Sequence, residues 1–212
     1  MKTFLTLDEV SSIILSMGEC MIRNSDVLRE LDAALGDGDL GVTVALGGKA
    51  LREVVEETNT DDIGTLLINC GMKFNQAAAS TFGVLFATAL IEAGKVTRGH
   101  KELDLGDIVK AAEAAESGIK RRGNAKPGDK TMLDAIVPAI EALRRANESN
   151  KSIDKALEMA IIAARNGAEA TKSMQSRVGR ASYQGTRSIG LKDPGAAAVY
   201  LLLEDITRTV KA

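Results

Sequence analysis

Apolar residues recur every three to four positions along most of the chain, a spacing that predicts helices. The first such run passes through Val10, Ile13, Ile14, Met17, Met21, Leu28 and Leu31, with Asn24-Ser25 as a weak point inside it. Thr6-Leu7-Asp8-Glu9 has the capping-box form, Thr at N-cap and Glu at N3, and sets its start. Further helices are predicted over residues 42–57, 63–74, 84–93, 104–119, 131–147, 153–168 and 196–209. Asp61-Asp62 caps the helix that begins at Ile63, and Gly94 ends the one that begins at Val84. Pro138 should bend its helix early, and Asp193-Pro194 supplies an N-cap and an N1 proline for the last. No segment alternates with period two in β-branched residues. The expectation is an all-α chain of about eight antiparallel helices with essentially no sheet. Abundant alanine and glycine allow close helix approach, as in an up-and-down bundle or closed helical barrel.

Four polar, glycine-rich junctions separate these helices, at 36–43, 76–83, 123–131 and 177–195. In an up-and-down arrangement alternate junctions lie at the same end, so several can converge on one ligand. The stretch from Ser176 to Asp193 is long and rich in Gly, Ser and Arg. Loops of that length without structure of their own are uncommon and often functional.

Composition narrows the field. The 212 residues fit a single domain, taken as 1–212, with room for a substantial core. Net charge is −2 at pH 7, so no basic field recruits nucleic acid. Aromatics are 3% and Trp is absent, which removes the usual base-stacking platform. Cys20 and Cys70 lie apart in apolar helical segments and read as small buried thiols in a reducing compartment. There is no CxxC and no Cys/His cluster for zinc. The first residues, MKTFLTLDEV, turn acidic by position 8, too soon for a secretory signal. No run approaches the roughly 18 apolar residues of a membrane span. A cytoplasmic protein is expected.

The chemistry concentrates in LDAALGDGDLG, residues 31–41. Asp32, Asp37 and Asp39 alternate with Gly36, Gly38 and Gly41, which let the backbone turn sharply and approach a ligand. Such carboxylates suit Mg²⁺, which usually keeps substrate phosphates among its ligands. The stretch fits either a solvated acidic turn or a Mg²⁺–nucleotide site. Gly36, Gly38 and Gly41 also match GxGxxG, but the preceding LRELDAAL is helical where that motif requires a strand. An EF-hand reading fails because loop position 12 is Gly48 instead of Glu. No P-loop sequence is present. Helix N-termini at the junctions offer N–H groups to phosphate, and Arg177, Arg180 and Arg187 offer cations. Met132, beside the GDKT turn, fits the core or a base contact equally. The lone His100 sits in a polar loop, and no Ser–base pair accompanies it, so a nucleophilic triad is not expected.

GDGDLG, AAASTFG, RGNAKPGDKTMLDAIVPAIEAL and GRASYQGTRSIGLKDPGAAA occur in this order from about residue 30 to 200. Together they resemble the nucleotide-binding L subunit of bacterial dihydroxyacetone kinases, which is also the C-terminal domain of single-chain versions. The resemblance implies a barrel of eight antiparallel helices with ADP or ATP at one end, held through two Mg²⁺ ions. It implies Asp32, Asp37 and Asp39 as metal ligands. Leu40, Gly41, Val42 and Thr43 would contact phosphates, with Ser80 and Thr81. Gly123 and Met132 would lie near the base, and Arg180 with Asp193, Pro194 and Gly195 would close over it. The catalytic set is then Asp32, Asp37, Asp39 and Arg180.

The implied partner is a K subunit that holds the ketose covalently through its own histidine. A phosphotransferase-system phosphocarrier joins it in one branch of the family, where ADP stays bound and is rephosphorylated. A homodimer is kept open. The acidic turn of the family often reads GDADHG or GDGDHG, and Leu40 replaces that histidine here. The change spares the metal set and bears on the substrate, leaving a keto sugar such as erythrulose open. A second reading, a nucleotide-loaded regulator without turnover, uses the same site.

Overall fold

Thr6 starts the first helix by accepting a hydrogen bond from the Glu9 N–H, while the Glu9 carboxylate returns to the Thr6 N–H at 2.9 Å. The computed structural model describes residues 2–212. Helix α1 (Leu7–Arg23) ends at Asn24, the predicted weak point, and α2 (Ser25–Ala33) follows at once. Then come α3 (Leu40–Glu57), α4 (Ile63–Ala77), α5 (Thr81–Val96) and α6 (Leu105–Gly123). The last are α7 (Leu133–Glu148), α8 (Ile153–Ala170) and α9 (Pro194–Lys211), with 3₁₀ segments at Thr171–Ser173 and Arg180–Ser188.

Eight of these helices are staves of a closed ring. Helix α1 packs on α3, each later helix packs on the next, and α9 returns to α1. The short α2 packs on α3 outside this sequence of staves. Val44, Ile63, Cys70, Phe74 and Leu133 are fully buried inside. The α1–α3 contact depends on two glycines facing each other. A Cβ on Gly18 would lie 2.6 Å from the Gly48 carbonyl oxygen, and one on Gly48 would lie 2.5 Å from that of Gly18. The α9–α1 seam is closed by buried Asp205, which takes Ser16 and Arg23 from α1 and Arg208 from its own helix. Among the described residues, no helix is long and apolar enough to cross a membrane.

The structure departs from the pattern reading in three places. A two-stranded antiparallel sheet forms where none was expected, pairing β1 (Phe4–Thr6) with β2 (Glu102–Asp104). Three residues are too few for alternation to register; only Leu5 and Leu103, opposite each other, face inward. Helices α4 and α5 reach further into the small-residue turn than predicted: α4 runs on to Ala77, and Ser80 caps α5 by accepting from the Gly83 N–H. The loop after α8 is not structureless, since 3₁₀ turns run through most of it.

Candidate functional site

An antiparallel ring turns alternate helices the same way. The N-termini of α3, α5, α7 and α9 and the C-termini of α6 and α8 therefore share one end, with β1 and β2 at the other. Each N-terminus carries partial positive charge and N–H groups without helical partners. All four junctions singled out in the sequence meet there around a cavity of about 220 Å³.

One wall of the cavity is charged. Asp32 closes α2, and Asp37 and Asp39 stand on the turn into α3, where Gly38 takes φ 75°. One oxygen from each of the three carboxylates lies within 4.8 Å of the other two. Burial, followed by the charge of Asp32, pushes the Asp39 carboxyl above its ordinary range. Arg180 reaches across from the late loop to pair with Asp37, and its Nη1 is 3.3 Å from Asp39 Oδ2. Three like charges this close call for a compensating cation. Oxygen donors in this set fit a hard divalent ion, and the Arg180 guanidinium already answers the same demand.

Most of the remaining lining is apolar: Leu35, Leu85, Ile119, Met132 and Leu133, with Phe82 beside them. Phe82 stacks on Phe86 at 5.9 Å, which braces that side. A slot with one apolar and one charged wall can take a planar ring on one side and an anionic chain on the other.

The floor is ordered by buried charges. Asp134, on the first turn of α7, accepts from the Gly128 N–H at 2.6 Å and the Thr131 N–H at 2.7 Å, shaping the GNAKPGDK turn. Lys130 is buried and donates to the carbonyls of Met174, Ser188 and Leu191. Burial pushes its ammonium below the ordinary lysine range, and Asp193 opposes that. Asp193 caps α9 by accepting from the Ala196 N–H at 2.7 Å. Burial raises its carboxyl to about 7, against the Ala196 hydrogen bond, with the charges of Asp134 and Asp32 adding to the rise.

Of the residues anticipated from sequence, Asp32, Asp37, Asp39, Leu40, Thr81, Gly123, Met132, Arg180, Asp193, Pro194 and Gly195 line the cavity. Gly41, Val42, Thr43 and Ser80 are not part of its wall. Gly41 packs against Arg29 and the Ser25 carbonyl, and Val42 points to solvent. The Thr43 and Ser80 hydroxyls bond each other at 2.9 Å just behind the wall. The Leu40 side chain is buried and its N–H is donated to Asp32 Oδ2 at 3.1 Å, so that donor is engaged in the turn itself. Arg177 and Arg187 are exposed and do not line the cavity, leaving Arg180 as the loop's arginine at the site. Pattern reading missed Lys130, Leu85 and Ile119. A lysine between Gly-Asp and Thr reads as solvated, and the two apolar residues read as ordinary core.

Fold and site together define a closed helical barrel with a mixed apolar and acidic pocket at the end where its helix N-termini gather. The DAK2 domain family matches residues 34–208, and the chain belongs to that family. It is 37% identical over 194 residues to the ADP-binding subunit DhaL of the PEP-dependent dihydroxyacetone kinase of Escherichia coli (strain K12), covering 92% of each chain. It is 35% identical to the L-erythrulose 1-kinase of Mycolicibacterium smegmatis, matching 85% of this chain and 32% of that one. The crystal structure of the dihydroxyacetone kinase from C. freundii in complex with AMP-PNP and Mg²⁺ superposes with a TM-score of 0.75 at 26% identity. That match covers 94% of this chain and 33% of the solved one.

Proposed function

We propose that this chain is the Mg²⁺–ADP/ATP-binding subunit of a dihydroxyacetone or related ketose kinase, working in the cytoplasm with a separate K subunit that holds the ketose. The observation that carries this reading is the convergence of Asp32, Asp37, Asp39 and Arg180 beside an apolar slot, in a DAK2-family chain that matches an ADP-binding subunit over nearly its full length.

Asp32, Asp37 and Asp39 would hold two Mg²⁺ ions. Bound there, the ions supply charge neutralisation along the phosphate chain and on the transferring phosphoryl group. The chain's own residues position the nucleotide. Met132 and the wall behind it take the base beside Gly123. The N-terminal dipoles of α3 and α5 would favour the phosphates at this end, with Thr81 in the wall and Gly41, Val42, Thr43 and Ser80 set outside it. Arg180 shifts from Asp37 and Asp39 to a phosphate oxygen, which its planar fork can grip in two places. Asp193, Pro194 and Gly195 form the rim of the pocket. The acceptor would come from the partner, and catalysis would rest on positioning and electrostatics. The resemblance to an L-erythrulose kinase favours a four-carbon ketose as the second substrate to try, and Leu40 is the position in the turn to examine with it.

A coupled assay tests the proposal. This chain is combined with ATP, Mg²⁺, a K subunit, and dihydroxyacetone or erythrulose, in parallel with a phosphocarrier-fed arm. Ketose phosphate should form only when both subunits are present. Tight ADP binding without transfer in any arm would contradict the kinase and favour a regulator.

A further inference from the structure

Among the described residues, Lys130 is the only buried lysine or arginine, with 2% of its surface exposed. It sits in the left-handed region at φ 63°, which a side chain with a Cβ adopts only when its surroundings hold it there. Its ammonium has three protons and meets three acceptors: the Met174 carbonyl at 3.1 Å, the Leu191 carbonyl at 2.7 Å and the Ser188 carbonyl. Those carbonyls stand on the two sides of one loop. Between them the chain runs out to Val178, Gly179, Arg180 and Ala181, which line the cavity, and returns. The same neck is tied by the Ser176 N–H to Ser188 Oγ at 2.9 Å and by the Gly190 N–H to the Lys172 carbonyl at 2.7 Å.

We propose that Lys130 is a positioning residue whose ammonium pins the neck of the 174–191 loop and so fixes the reach of Arg180 to the acidic turn. The loop has few apolar anchors of its own: Ile189 and Leu191 are exposed, and Tyr183 is 88% exposed. One charged donor sharing three carbonyls replaces the packing that such a loop lacks, and charge-assisted hydrogen bonds are the stronger kind. Removing the ammonium strands three acceptors at the neck, where each unmet one is costly. The tether stands on geometry alone; its consequence for nucleotide rests on the function proposed above.

The test is hydrogen exchange on the full chain without nucleotide, followed by titration with Mg²⁺–ADP. In Lys130→Met, amides of residues 176–190 should exchange roughly tenfold faster while α1, α4 and α5 keep parental rates. Affinity for Mg²⁺–ADP should drop by a similar factor, and Lys130→Arg should restore part of both. Parental exchange in the loop, or faster exchange spread evenly over all helices, would overturn the tether. A loosened loop with unchanged affinity would overturn its positioning role. If the parent binds no Mg²⁺–ADP, the functional reading falls while the exchange result stands. Should Lys130→Met fail to fold, ¹⁵N-lysine labelling of the parent decides: a slowly exchanging ammonium signal at neutral pH supports the tether, and its absence overturns it.

Discussion

At the scale of single residues, Asp193 carries two demands at once. Its carboxylate caps α9, its N–H is donated to Thr171 Oγ1 at 2.9 Å, and it is buried near Lys130, Asp134 and Asp32. Burial raises its pKa from an ordinary 3.8 to about 7. Between those values the folded chain holds a proton that the unfolded chain has released. The stabilisation is therefore complete below pH 3.8 and is lost as pH rises through 7. Asn in its place can still accept from Ala196 but cannot titrate. The unfolding free energy of Asp193→Asn, relative to the parent, should rise by about 3 kcal/mol between pH 4 and pH 7. Urea denaturation across that range measures it; a flat difference would show that the carboxyl is ionised throughout. The capping role of Asp193 was legible, because Asp before Pro at a helix start is a local signal. The burial of Lys130 was not, because its acceptors lie 44 to 61 residues further along.

At the scale of elements, most of the architecture could be read from local chemistry. The caps expected at Thr6, Asp62 and Asp193 all form, and Asp104, expected as the first residue of its helix, caps it. Pro138 lies inside α7. The two cysteines are buried as anticipated, and burial pushes the Cys70 thiol up to about 12. What local chemistry could not supply was partnership between distant short segments: the three-residue strands pair across nearly a hundred positions, a tertiary event. Glycine within helices makes sense only at this scale. Gly48 lies inside α3, where alanine would gain about 1 kcal/mol of helix propensity. Its Cβ would, however, meet the backbone oxygen of Gly18 at 2.5 Å, and that atom cannot yield unless α1 and α3 separate. Gly48→Ala should therefore destabilise the chain by about 1–3 kcal/mol despite the better propensity. Thermal unfolding should show a fall of several degrees, roughly 2–4 °C for each kcal/mol in a chain of this size. An unchanged or higher midpoint would mean that the α1–α3 contact is looser than the structure has it.

At the scale of the whole molecule, the closed ring gathers four helix N-termini, an acidic turn and an arginine-bearing loop at one end. The sequence foretold that convergence because an up-and-down topology places alternate junctions together. It did not foretell which junction residues face inward, since that depends on how each turn folds: Gly41 was expected at the ligand and packs against α2 instead. That end should bind a nucleotide through divalent metal. Titration calorimetry of the full chain with ADP, in excess Mg²⁺ and again in EDTA, tests it most directly, with Asp37→Asn as the control. One ADP per chain should bind in Mg²⁺, with affinity lowered at least tenfold in EDTA and a similar loss in Asp37→Asn with its helical circular dichroism intact. Equal binding with and without Mg²⁺, parental affinity in Asp37→Asn, or no binding at all would contradict it.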